Sequence, residues 1–193
     1  MLLKKLNGEQ FKELTLNGAL NLKANYAEVD TLNVFPVPDG DTGTNMLRTI
    51  QGGVNAVEKS AELNLGEMGK ILSKGMLMGA RGNSGVILSQ IYRGICKGLE
   101  GKAEVDAVGL AKAYQIGVKQ AYGAVVTPVE GTILTVFREA VEAAAKAVNK
   151  DSTINDFYEE HLKAAAKALK NTPNLLPVLK EAGVIDSGGA GYV

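Results

Sequence analysis

Apolar residues recur at helical spacing along nearly the whole chain, and nowhere do they alternate long enough to make a strand. Phe11, Leu14, Gly18 and Leu22 form one stripe. Leu72, Met76 and Leu77 belong to a second, and Val86, Leu88, Ile91, Tyr92 and Ile95 to a third. Residues 105–126 form an Ala-rich run broken by Gly109, Gly117 and Gly123. Residues 133–148 and 157–169 are Ala-rich and amphipathic, with their charges grouped on one side. A period near 3.6 specifies helices with one apolar face. The pattern predicts an all-α bundle of seven or eight helices joined by short loops, in a single domain over residues 1–193.

Small residues run through these helices. A glycine inside a helix costs about 1 kcal/mol against alanine. So many interior glycines imply close helix approach or a ligand near the backbone. Hydrophobic residues make up 46% of the 193, enough for a substantial core. Lys+Arg and Asp+Glu are both 21, so the basic excess of a nucleic-acid binder is missing. The single cysteine, Cys96, excludes an internal disulfide framework, fits a cytoplasmic chain, and falls on an apolar stripe as a structural thiol. The N-terminus turns polar too soon for a signal peptide, and no run reaches the ~20 apolar residues that span a bilayer. The last residues, Asp186 to Val193, follow directly on a glycine-rich motif, which reads as the N-terminal part of a longer protein.

The segment Val34-Phe-Pro-Val-Pro-Asp-Gly-Asp-Thr-Gly-Thr-Asn-Met46 carries the densest chemistry. Asp39 and Asp41 stand one residue apart in a non-helical stretch, where two carboxylates can share a hard cation such as Mg²⁺. A helix expected to begin near Thr44 would bring its free N–H groups beside that cation, a setting for phosphate. An EF-hand does not fit: its glycine position would hold Thr44 and its bidentate glutamate position Ile50. A second turn, Gly79-Ala-Arg-Gly-Asn-Ser-Gly85, precedes a helix expected near Val86 and offers Gly82, Asn83 and Ser84 to phosphate. Arg81 is a candidate for contacting phosphate or a partner. This turn is neither a Walker A loop nor a Rossmann fingerprint. Two weaker turns, Glu130-Gly-Thr-Ile-Leu-Thr135 and Asp186-Ser-Gly-Gly189, complete a set that converges best on one ligand. His161, the only histidine, lies in a charged stretch and is expected on the solvated surface, which removes zinc and His-activated nucleophile chemistry.

Together the four motifs resemble the N-terminal ATP-binding domain of bacterial fatty acid kinase, itself similar to the ADP-binding DhaL subunit of dihydroxyacetone kinases. The resemblance covers nearly the whole chain. It implies a barrel of eight antiparallel helices holding ATP or ADP and two Mg²⁺ ions at one rim. It places metal on Asp39 and Asp41, with Asn33 or Asp30 as third ligand. It places nucleotide contacts on Thr42, Gly43, Thr44, Asn45, Gly82, Asn83, Ser84, Gly131, Thr132, Asp186, Ser187 and Gly188. The implied reaction moves the γ-phosphoryl of ATP to a fatty acid carried by a DegV-type binding protein, giving an acyl phosphate for phospholipid synthesis. The alternative acceptor is dihydroxyacetone or a similar hydroxy compound. A homodimer formed through regions outside this segment is compatible with the resemblance. The segment alone is expected to bind nucleotide with little turnover.

Overall fold

The computed structural model describes residues 2–193. Among the described residues the chain forms nine helices and two short strands. In order they are β1 (Leu6–Asn7), α1 (Gly8–Thr31), α2 (Thr42–Glu58), α3 (Leu65–Gly79), α4 (Gly82–Leu99), β2 (Glu104–Val105), α5 (Ala107–Gly123), α6 (Ile133–Ala147), α7 (Ile154–Leu175), α8 (Pro177–Ala182) and α9 (Ser187–Tyr192). The all-α expectation holds, and the extra helices are the six-residue α8 and α9. The two strands pair antiparallel, Leu6 opposite Val105, and tie the start of α1 to the start of α5.

The long helices pack chiefly on their sequence neighbours, from α1 on α2 through to α6 on α7. Short connections leave little other choice. Helix α9 closes the bundle, touching α1, α2 and α6. The core is a continuous apolar cluster in which Met46, Leu72, Ile91, Leu110, Phe137 and Phe157 are fully buried. Cys96 is buried within it, and burial pushes its thiol up to about 12, so it is a packing residue.

The interior glycines of α2 and α3 serve close approach. A β-carbon on Gly52 would lie 2.6 Å from the Gly75 carbonyl oxygen, and one on Gly75 would lie 2.5 Å from the Gly52 carbonyl oxygen. Small residues also shift the buried stripe of α1 from its expected position. Phe11, Thr15, Ala19 and Leu22 face inward, while Leu14 and Gly18 are exposed. Leu77 and Val86 likewise point outward.

His161 corrects another expectation: it is 7% exposed, not solvated. The buried face of α7 runs Ile154, Phe157, His161, Ala165, Ala168 and Thr172, and His161 falls on it although Glu159 and Glu160 beside it do not. Its ring packs among Tyr114, Phe137, Phe157 and Tyr192, with Nε2 2.7 Å from the Tyr192 hydroxyl. Among the described residues no helix is long and apolar enough to cross a membrane.

Candidate active site

The chain between α1 and α2 is shaped by Asn33. Its side-chain oxygen accepts the Asp41 N–H at 3.2 Å, and its amide nitrogen donates to the Val37 carbonyl at 3.0 Å. These bonds pin a loop that contains the cis Phe35–Pro36 bond and turns through Gly40, so that Asp39 and Asp41 face one cleft. Asp30, at the end of α1, accepts from the Thr44 N–H at 3.0 Å and the Thr44 hydroxyl at 2.7 Å. Both oxygens of Asp30 and the Asn33 amide are thus engaged in holding the loop and the helix start. The arrangement lends neither of them support as a third metal ligand.

Helix α2 starts at Thr42, two residues before the position expected from the sequence. Its N-cap, Asp41, makes no side-chain cap bond. Among the described residues nothing in the protein accepts from the Thr42 or Gly43 amides. Helix α4 starts at Gly82, four residues earlier than expected, and its N-cap Arg81 also makes no side-chain cap bond. The amides of Gly82, Asn83 and Ser84 are free of protein acceptors among the described residues. By contrast α1, α3, α5, α6 and α7 are capped by the side chains of Asn7, Asn64, Asp106, Thr132 and Thr153. An open helix start carries unsatisfied donors and the positive end of the helix dipole.

The two open starts are locked together. Thr49 of α2 accepts the Arg81 N–H at 3.3 Å and donates to the Asn45 carbonyl at 2.7 Å. Gly82 has φ +59°, and a side chain there would collide with the Asn45 amide. Helix α9 joins from the far end of the sequence: the Ser187 hydroxyl lies 3.2 Å from that of Thr42. Asp186 caps α9 by accepting the Gly189 N–H at 2.6 Å. It is 4% exposed, and burial raises its carboxyl to about 6 against the opposing hydrogen bonds from the Gly189 and Ile133 amides.

These elements enclose a cleft of about 590 Å³. Of the sequence-derived candidates, Asn33, Asp39, Asp41, Thr42 and Asn45 line it from the first motif. Gly82, Asn83 and Ser84 line it from the second, Thr132 from the third, and Asp186, Ser187 and Gly188 from the fourth. Gly43, Thr44, Gly131, Asp30 and Arg81 do not. Gly43 packs under the Tyr26 carbonyl, Thr44 faces Asp30, and Gly131, at φ +82°, turns against Leu175 and Leu176. Arg81 is exposed and donates to its neighbour's carbonyl, Ala80, at 2.7 Å. The sequence reading gave no role to an apolar part of the lining: Val86, Ile87, Val125, Val129, Ile133 and Leu134. Its residues come from three segments, and only Ile133 and Leu134 fall within one of the four motifs.

The donor set suits Mg²⁺ held together with a phosphate. Two carboxylates reach the cleft, and Mg²⁺ commonly takes one or two carboxylates and fills its other positions with water and phosphate oxygens. Among the described residues there is no group of three or more His, Cys, Asp or Glu side chains able to hold a metal unaided.

Residues 36–193 match the DAK2 domain. The chain belongs to the DAK2 domain family. Similar proteins include an uncharacterized protein of Staphylococcus epidermidis, 53% identical over 192 residues, and uncharacterized proteins of Staphylococcus aureus, 52% identical over the same length. The match covers the whole of this chain and 35% of each relative. As a DAK2 domain it is a dihydroxyacetone-kinase-like domain, of a kinase-like phosphotransferase family whose DhaL-like members bind nucleotide.

Proposed function

We propose that this DAK2 domain holds ATP with Mg²⁺ in the cleft and serves a fatty acid kinase, in which the γ-phosphoryl passes to the carboxylate of a fatty acid. One observation carries the reading. The two long helices without a side-chain cap, α2 and α4, open onto the same cleft, beside the two carboxylates. Anionic oxygens satisfy such helix starts, and paired carboxylates supply the cation that accompanies a triphosphate.

Thr42, Asn45, Asn83 and Ser84 would orient the phosphates, and Asp39 and Asp41 would hold Mg²⁺. Bound there, Mg²⁺ neutralises phosphate charge. The apolar wall of Val125, Val129, Ile133 and Leu134 would take the base and shield it from water. The cleft is lined by no histidine, lysine or arginine among the described residues. A hydroxyl acceptor would have to give its proton to one of the lining carboxylates, Asp39, Asp41 or Asp186. A fatty acid needs no such base, because its carboxyl is ionised at neutral pH. Its oxygen attacks the γ-phosphorus in line, the bond to the β-phosphate oxygen breaks, and acyl phosphate and ADP result. This chemistry asks for position and charge neutralisation above all. The acyl chain would arrive on a DegV-type fatty-acid-binding protein in the cytoplasm, with the rest of a longer chain completing the docking site. The family description favours a second acceptor class, dihydroxyacetone or a similar hydroxy compound.

Calorimetric titration of ATP tests the nucleotide reading. Mg²⁺ is expected to tighten binding, and Asp39→Asn is expected to weaken MgATP by tenfold or more, roughly the loss of one charge-assisted contact. Equal affinity with and without Mg²⁺, and in wild type and Asp39→Asn, would overturn it. Phosphoryl transfer by the full-length protein to partner-bound fatty acid, set against transfer to dihydroxyacetone, decides the acceptor.

A further inference from the structure

Part of the cleft wall is a loop, residues 124–132 between α5 and α6, and Val125, Val126, Thr127, Val129 and Thr132 of this loop line the cleft. Packing holds the loop at its ends, Val125 against the core and the buried Gly131 against Leu175 and Leu176, but little holds its middle. Its ends are tied by the Ala124 N–H to the Gln120 carbonyl, 3.1 Å, and by the Thr132 hydroxyl to the Val129 carbonyl, 2.7 Å. Val126 and Thr127 make no hydrogen bond among the described residues, and Val126 is fully exposed. A segment so poorly tied opens easily unless something else fixes it.

Glu130 adds a polar tie to both flanking helices. Its carboxylate accepts from the Tyr122 hydroxyl at the end of α5 (3.0 Å), from the Thr135 hydroxyl in the first turn of α6 (2.5 Å) and from the Arg138 guanidinium one turn on (3.0 Å). Arg138 also donates to the Tyr122 hydroxyl at 3.1 Å, and the Thr135 hydroxyl accepts the Gly131 N–H at 2.8 Å. One loop side chain is thereby joined to both flanking helices. An exposed Arg–Glu pair by itself contributes little. Here three donors from two helices meet one charged acceptor, which fixes direction as well as distance. Tyr122, Glu130 and Arg138 do not line the cleft.

We propose that Glu130 is a positioning residue that sets the apolar wall, and through it the preference of the site for a nucleotide over a bare polyphosphate. The preference rests on the nucleotide reading above; the hold on the loop does not.

Hydrogen exchange and calorimetry on this chain, as wild type, Glu130→Ala, Glu130→Gln and Tyr122→Phe, test it. Glu130→Ala is expected to speed exchange in residues 124–131 and to weaken MgATP about tenfold, while Mg-tripolyphosphate moves by less than about twofold. Glu130→Gln keeps one acceptor, for Tyr122 on one side or for Thr135 and Arg138 on the other, while its NH₂ meets the remaining donors, so both effects are expected to fall between those of wild type and Glu130→Ala. Unchanged exchange in Glu130→Ala, or an equal loss for both ligands, overturns the proposal. If circular dichroism shows Glu130→Ala unfolded, Tyr122→Phe decides: a smaller rise in exchange confined to the same segment supports the clamp, and no rise overturns it. Wild type binding neither ligand would sink the nucleotide reading and the ligand preference with it. The exchange arm would still decide whether Glu130 holds the loop.

Discussion

His161 and Asp186 are both buried, and their titrations oppose each other. Burial holds the His161 ring down at about 4, below the ~6.5 of an unfolded chain. As pH falls through that window the unfolded chain takes a proton that the folded one refuses, so stability drops. Burial raises Asp186 to about 6, above its ordinary carboxylate range, so the folded chain is protonated first and stability rises as pH falls from about 6 towards 4. The urea midpoint of wild type is therefore expected to change little between pH 6.5 and 4. His161→Phe should gain stability on acidification and Asp186→Asn should lose it, each by up to about 3 kcal/mol. Parallel pH profiles for the two variants would contradict this. The same pair shows what can be read residue by residue. Asp39 and Asp41 declare themselves because adjacent prolines and glycines leave them no ordinary helical role. His161 is surrounded by charges in sequence, and only the full stripe of α7 places it inside. Glu130 is visible as part of a motif, but its three partners become visible only once α5 and α6 are side by side.

At the scale of elements, glycines that look alike in sequence have opposite consequences. Gly18 lies in the exposed middle of α1 with nothing near its missing β-carbon, whereas Gly52 meets the backbone of α3. Gly18→Ala should raise stability by about 1 kcal/mol through helix propensity. Gly52→Ala should lower it by about 1–3 kcal/mol, because α2 and α3 must move apart. Denaturant midpoints measure both, and a gain from Gly52→Ala would refute the seam. The long helices were legible and the short α8 and α9 were not, and the starts read for α2, α4, α5 and α7 miss those observed by two, four, two and three residues. At α2 and α4 the error has a local cause. Ordinary starts carry a side chain that bonds the first-turn amides and marks the boundary. These two are open, so the mark is missing where the site lies.

The whole molecule assembles its cleft from chain segments that begin and end the fold. The hydroxyls of Thr42 and Ser187 meet across 145 positions, and α9 is held there by its contacts with α1, α2 and α6. A ligand bridging these parts stabilises all of them at once. MgATP at about a hundred times its dissociation constant should add about 2.7 kcal/mol and raise the thermal midpoint measurably. EDTA should remove most of that gain and leave the midpoint of the ligand-free protein unchanged. A rise that EDTA does not touch would count against the role of the carboxylate pair.

The sequence by itself determined that the chain is all helical and singled out four polar turns as candidates for its chemistry, because periodicity and turn composition are local properties. Tertiary structure decided that these turns share one cleft, that Gly43, Thr44 and Gly131 stand back from it, and that apolar residues of α4, α6 and the loop between α5 and α6 complete its lining. Those facts depend on which helices become neighbours, and that is set by small-residue seams and buried volume across the whole bundle, which no short stretch of sequence contains.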